Sequence, residues 1–514
     1  MKEMIIESKR LNAFGASFAR LRRDFRKILS VITTLLAASE ACVVGPKYQR
    51  PNVPAPPAFK ESLPEGFKEM KGWKVAEPND GVNRGKWWEI FRNQELNALE
   101  EQVDVSNQNL LAAEAQYRAA RDAIRIERAN LYPFVTSGIS IADSRSAQIT
   151  SPSGNTVSGS HTLEDLSASL SYLADTWGSV RRSIRGSAES AQASAAQLEN
   201  ARLAIHSVLA QLYFQLRGID GEEELFERTV KSYEEYLDLT KIRFDAGVAS
   251  GADVAQAQTQ LSEARAQRVD LGEARAQYEH AIAVLVGKAP AELSIAGAKI
   301  DMAPPPIPVG VPSDLLERRP DIAAAERQMA VANEQIGIAK AAFYPSISLS
   351  ASVGLQSSRF ADWFLSPSGL WTVGGQLAQT LFDAGKRRAQ KDFAQASYDA
   401  VVANYRQTVL TSFQQVEDSL SALRVLADET LATDETVRAA SESLEISTYQ
   451  YKAGTASYLQ VITAQTSVLQ NQILALNILT RRMLASVLLI EALGGGWDSS
   501  SLPTEKLLIS GKQH

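Results

Sequence analysis

A mixed α and β membrane protein, built from two tandem helix–strand–strand–helix–helix units, is the fold class that the sequence predicts. Three observations predict it. The chain repeats itself at a spacing of about 207 residues. Each copy holds a stretch of roughly 65 residues rich in Ala, Gln, Glu and Leu. Each copy also holds two segments of about ten residues in which apolar and small polar residues alternate.

The N-terminus reads as an address. Arg20, Arg22, Arg23, Arg26 and Lys27 precede the apolar run 28–38, which is too short to span a bilayer as a helix. Ser39, Glu40, Ala41 and then Cys42 follow, so residues 1–41 are expected to be a lipoprotein-type signal and Cys42 an acylated mature N-terminus. Val43 rather than Asp follows the cysteine, which by resemblance to bacterial lipoprotein sorting implies the outer membrane. Attached acyl chains anchor by burying methylenes at about 0.8 kcal/mol each. Residues 42–95 are then an extended segment, proline-rich over 45–57.

The duplication sets the remaining boundaries, with a first repeat over 96–303 and a second over 313–496. The run AAEAQYRAARDAIRIERANLYP ending at Tyr132-Pro133 answers AAERQMAVANEQIGIAKAAFYP ending at Tyr344-Pro345. Asp175 and Gly178 with Arg181-Arg182 answer Asp383 and Gly385 with Arg387-Arg388, and Phe244-Asp245-Ala246-Gly247 answers Tyr451-Lys452-Ala453-Gly454. The linker 304–312 contains Pro304, Pro305, Pro306, Pro308 and Pro312 and cannot be helical, because proline lacks the amide donor. Residues 497–514 form a C-terminal tail. Long helices are expected over 179–246 and 386–453, the first interrupted near Gly218 and Gly221. At 1.5 Å per residue each reaches on the order of 100 Å.

Residues 346–355 read SISLSASVGL, with Ile347, Leu349, Ala351, Val353 and Leu355 on one face and serines and Gly354 on the other. Residues 166–172 alternate likewise, as do Val135, Ile139 and Ile141 and, less cleanly, Trp371, Val373 and Leu377. This is the pattern of a transmembrane β-strand with lipid outside and water inside. Four strands cannot close a barrel, and an open edge in lipid leaves backbone groups unpaired at several kcal/mol each. Several copies must therefore share one wall. No run of 18 apolar residues follows the signal, which argues against a helical span. Tyr132, Tyr344, Trp363 and Trp371 are expected as interfacial belts, and Trp87 and Trp88 as part of a soluble waist.

Other function classes are disfavoured by composition. A net charge of −6 lacks the basic face of a nucleic-acid binder. One cysteine and four scattered histidines (His161, His206, His280 and His514) support neither a metal site nor a catalytic triad. No phosphate-cradling loop or nucleophile elbow is present, so no enzyme activity and no cofactor is expected.

The lipoprotein-type cysteine followed by Val43-Val44-Gly45-Pro46-Lys47-Tyr48 and Pro51, the doubled unit, and the helix turns at Gly247 and Gly454 resemble the TolC-like outer-membrane efflux proteins, in the NodT-type lipoprotein branch. The resemblance covers residue 42 to about 496. It implies a homotrimer with a twelve-stranded β-barrel continuous with a long α-helical periplasmic tunnel. It also implies a role as the exit duct of a tripartite pump, with a periplasmic adaptor and an inner-membrane transporter of the RND type as partners. The adaptor-docking tips would be Gly247, Val248, Gly454 and Thr455, with Arg243 and Lys452 orienting the partner. Asp253 and Tyr451 would hold the pore shut. Ala456, Gln460 and Thr463 depart from the pattern, standing where some members have an arginine or pore-lining acids. A duct for type I protein secretion and a non-channel coiled-coil lipoprotein scaffold are the competing readings.

Overall fold

The computed structural model describes residues 43–51, 55–61, 85–145, 149–150, 156–157, 160–307, 312–363 and 368–510. The expected signal and Cys42 lie outside the described residues. The first repeat comprises α1 (Gln94–Ser106), α2 (Gln108–Ala129), β1 (Phe134–Arg145), β2 (Ser160–Ala174), α3 (Ser179–Asp245) and α4 (Gly251–Leu285). The second comprises α5 (Pro320–Ala341), β3 (Ser346–Ser357), β4 (Gly369–Ala378), α6 (Lys386–Ala453) and α7 (Tyr458–Ala492), and a short α8 (Glu505–Ser510) follows.

The strands form one antiparallel sheet in the order β1-β2-β3-β4. Its register confirms the alternation, because directly paired residues share a face. Val135, Leu170, Ala351 and Val373 form one apolar row, and Ile139, Leu166 and Leu355 another. Thr136, Ser169, Ser352 and Thr372 form a row on the opposite face. β1 and β4 are the free edges. Trp371 is exposed on the apolar face, whereas Trp363 is buried, its indole N–H donating to Glu164 O at 3.2 Å. Trp363 is therefore a loop anchor and not part of a belt.

Proline breaks the helix at each entry into the sheet, and an aspartate restarts it at each exit. Asp175 accepts the backbone N–H groups of Val180 (2.9 Å) and Arg181 (3.0 Å), and also Arg181 Nε (3.0 Å). Asp383 accepts Arg387 N (3.2 Å) and Arg387 Nε (2.6 Å). A carboxylate there satisfies orphan amides and complements the helix dipole.

α3 runs unbroken for 67 residues, so the expected interruption near Gly218 does not occur. Glycine serves contact there. A Cβ on Gly218 would stand 2.6 Å from Thr480 Oγ1, and one on Gly221 3.5 Å from Leu476, both residues of α7. α7 is itself long and apolar enough to cross a membrane, with a window of mean hydropathy 1.8, contrary to the expectation from apolar runs. Packing accounts for part of the apolarity: α7 lies against both α6 and α3 and buries Ile478, Met483, Val487 and Leu489.

The largest core is a collar midway along the helices. Trp87, Trp88 and Phe91 pack into Leu96, Tyr213, Phe214, Leu420 and Met483, as expected of a waist. Within it, His206 stacks on Trp88 at 4.3 Å.

The N-terminal segment straps the second repeat to the first. Val44 N donates to Trp177 O (3.1 Å), and Arg182 donates to Val44 O (2.7 Å) and Pro46 O (3.2 Å). Further along, Glu417 accepts the amides of Lys60 (2.7 Å) and Glu61 (2.9 Å). The C-terminal tail folds back, placing Leu508 and Ile509 against Ile124, Ile184 and Ala188.

Candidate functional site

The end of the molecule farthest along the chain from the sheet consists of two turns, α3 to α4 and α6 to α7. Each is a left-handed glycine stop. Gly247 has φ +73° and Gly454 φ +78°. Val248 N bonds to Arg243 O (2.8 Å) and Thr455 N to Gln450 O (2.9 Å), the same six-residue closure in both copies. A Cβ on Gly247 would meet nothing within 4 Å. Val248, Gly454, Thr455 and Lys452 are exposed.

Beneath the turns lies a tyrosine-rich core of Phe226, Tyr233, Leu237, Leu261, Tyr451, Tyr458 and Val461. Tyr451 is buried, with its ring 5.4 Å from Tyr458 and its hydroxyl donating to Thr240 Oγ1 at 3.4 Å. Arg243 lies 4.6 Å over the Tyr451 ring and donates to Lys452 O at 3.2 Å. Arg243 thus braces one turn against the other, which sequence reasoning missed. Its spacing from Lys452 on the other repeat carries no local signal. Burial pushes the Tyr233 hydroxyl up to about 12 and raises Tyr458 as well, so both stay neutral.

Asp253 forms a capping box with Ser250. It accepts Ser250 N (2.9 Å) and Ser250 Oγ (3.0 Å), while its own N–H donates back to Ser250 Oγ (3.2 Å). Within one chain its carboxylate makes no hydrogen bond to Tyr451, so the two residues are neighbours of one tip rather than a bonded pair. The second copy has Gln460 at the matching position, and Ser457 caps without a side-chain bond.

A second cluster missed from sequence sits in the collar. His206 faces Glu100 and Asp104, two carboxylates four residues apart on α1. That helix-face spacing was the available signal. Among the described residues no group of three or more His, Cys, Asp or Glu side chains is placed to hold a metal ion. The tip offers braced turns, open glycines and exposed apolar side chains such as Ile242 and Phe244. Such a surface suits contact and movement.

The family model described as outer membrane efflux protein matches residues 99–288 and 311–495. The probable efflux pump outer membrane protein SepC of Pseudomonas putida is 30% identical over 468 residues, covering 91% of this chain and 96% of SepC. The pyoverdine export outer membrane protein OpmQ of Pseudomonas aeruginosa is 30% identical over 443 residues, covering 85% of this chain and 93% of OpmQ. Among solved structures, the outer-membrane channel OprN superposes with a TM-score of 0.79 at 28% identity, covering 89% of this chain and all of that one (100%). The Campylobacter jejuni CmeC outer membrane channel shares the fold, with a TM-score of 0.80 at 23% identity over 90% of this chain and 96% of its own. The doubled helices and four-stranded sheet are those of the TolC-like channels. The chain belongs to the outer membrane efflux protein family, as an outer-membrane channel of an efflux pump that reaches into the periplasm.

Proposed function

We propose that three copies of this chain close one twelve-stranded barrel and one helical tunnel, forming the passive exit duct of a tripartite pump for small toxic compounds. The single observation that carries this reading is the open sheet, with one apolar face and unpaired edges at β1 and β4. An unpaired edge in lipid is too costly to persist, and only further strands satisfy it. Relatives are named for toluene efflux and for pyoverdine export, which favours small-molecule cargo over protein secretion.

In this reading a periplasmic adaptor docks at the tips around Gly247, Val248, Gly454 and Thr455, beside Lys452 and Arg243, and an inner-membrane transporter of the RND type supplies the energy. Tyr451 and Asp253 hold the resting pore narrow, Tyr451 through the core that fixes the turns and Asp253 through the start of α4. Acyl chains on Cys42 anchor the protein in outer-membrane lipid. The strap that ties Val44 to the junction at Trp177 supports that placement.

The test is single-channel conductance of the purified full chain in planar bilayers. A duct passes ions in discrete steps, and a coiled-coil scaffold passes none. Replacing Asp253 and Tyr451 together is expected to raise conductance, and an unchanged value removes their gating role. Replacing Cys42 is expected to abolish fatty-acid labelling, and retained labelling refutes acylation there.

A further inference from the structure

We propose that neighbouring copies of this chain are joined by an ion-pair ladder in which Arg388 and Asp392, at the head of α6, meet Asp122 and Arg125 on α2 of the next copy. The inference rests on the three-copy reading above and names a contact within it.

The template lies inside one chain. The two repeats meet where β2 pairs with β3 and α3 packs on α5. At that seam Arg182 Nη1 lies 2.8 Å from Glu334 Oε2, with both side chains buried. Gly186 and Gly337 flank the pair. A Cβ on Gly186 would stand 3.7 Å from Glu334 Cβ, and one on Gly337 would stand against the Arg182 guanidinium.

The second seam follows from the duplication. The operation that sets β3 beside β2 and α5 beside α3 sets β1 of the next copy beside β4, and its α2 beside α6. Correspondence between the helices is fixed by their packing. α2 and α5 align without a gap, matching buried Leu110 with Ile322, buried Ile124 with Ile336, and Tyr132-Pro133 with Tyr344-Pro345. Glu334 then corresponds to Asp122, and Gly337 to Arg125. The heads of α3 and α6 are phased by the same clamp, Arg181 on Asp175 and Arg387 on Asp383. Arg182 then corresponds to Arg388, and Gly186 to Asp392.

Four positions selected by packing alone hold four charges of complementary sign. The buried arginine–acid pair recurs as Arg388 and Asp122. The glycines that let helices approach closely within the chain, Gly186 against the acid and Gly337 against the arginine, are replaced by Asp392 and Arg125, so the outer seam must be wider than the inner one, with Arg388 facing Asp122 and Asp392 facing Arg125 across it. In one chain these groups are poorly used. Arg388 is exposed, with no ion-pair or hydrogen-bond partner among the described residues. Among the described residues Asp392 reaches only its neighbour Lys391, at 3.5 Å. Asp122 and Arg125 reach each other at 3.1 Å with both side chains more than 60% exposed, as 64% and 62%. Exposed pairs of that kind contribute little, whereas pairs enclosed between helices are screened less and fix register.

The test introduces Asp122→Cys and Arg388→Cys together in the full chain and oxidises the detergent-solubilised protein. Covalent dimers and trimers that vanish on reduction are expected, and neither single variant should form them. In parallel, Arg388→Asp is expected to lower the temperature at which trimers dissociate, and adding Asp122→Arg to restore it. If light scattering shows trimers but the cysteine pair stays uncrosslinked, or if the charge swap fails to restore stability, the ladder is overturned and the trimer stands. If light scattering shows only monomers, the three-copy reading fails and the ladder with it.

Discussion

His206 Nδ1 lies 2.6 Å from Glu100 Oε2 in the collar, with both side chains almost wholly buried. Asp104 Oδ1 faces the other ring nitrogen at 3.3 Å, so α1 is held to α3 through one imidazole. The charged groups around it are Arg202, which pairs with Asp104, and Lys86, which pairs with Glu101. Glu491 of α7 bonds the adjacent Ser207.

This arrangement makes the collar weaken with rising pH. Burial pushes the Glu100 carboxyl up to about 7, partly offset by its bond to His206. Burial lowers His206, but its hydrogen bonds to Asp104 and Glu100 outweigh that and raise it. A folded pKa above the unfolded one stabilises fully below the unfolded value, and this is lost as pH rises through the folded value. Both groups therefore act in the same direction, Glu100 from the ordinary carboxylate range up to about pH 7 and His206 upward from the ordinary imidazole value. Asp104 is held low by His206 and matters only in acid. Hydrogen exchange of residues 94–106, corrected for intrinsic rates, should be faster relative to the rest of the chain at pH 8 than at pH 6. Replacing Glu100 and His206 together by Gln should flatten the difference, and an equal difference in that double variant would count against this assignment.

Removing Arg182 should be severe. Arg182→Ala leaves Glu334 buried and unpaired, at a cost of about 3–5 kcal/mol. It also deprives Val44 O of its side-chain donor and leaves Pro46 O with Asn333 Nδ2 at 3.4 Å. Chemical denaturation should show the loss, and limited proteolysis should cut residues 43–51 faster. Glu334→Gln in the same background should recover part of it.

Gly218→Ala tests why α3 has no break. Alanine gains about 1 kcal/mol of helix propensity. Its Cβ meets Thr480 Oγ1, and overpacking costs about 1–3 kcal/mol. The single variant should melt lower than the parent, and adding Thr480→Ala should reverse the sign.

At the tip, Gly247→Trp separates docking from folding. The positive φ costs an L-residue about 1–2 kcal/mol, yet the side chain enters open space. Trimers should persist while crosslinking to the adaptor falls about tenfold, equivalent to about 1.4 kcal/mol. Unchanged crosslinking would place the docking surface elsewhere.

Much of this architecture was legible because its signals are local. Serine at every second position between 346 and 352 announces a strand with one watery face, and Tyr-Pro announces where a helix must end. The return to helix was visible as Asp followed by Gly and Arg in both copies, although the capping role of the aspartates emerged only from the structure. What escaped depends on residues distant in sequence. Gly218 looked like a helix breaker because Thr480, which demands its small size, lies on another helix. Arg243 looked free to meet a partner because its acceptor, Lys452 O, belongs to the other repeat. The tail around Leu508 looked idle because its groove, between Ile124 and Ile184, is made by the first repeat.

The continuity of α3 has a mechanical consequence. From the collar near Phe214 to the turn at Gly247 is roughly 30 residues, or about 50 Å of unjointed rod. A tilt of about 5° at the waist would swing the far end by about 4 Å, enough to part neighbouring backbones without breaking a single helical bond. A duct made of such levers would open by leverage, with its pivot in the collar and its aperture at the opposite end.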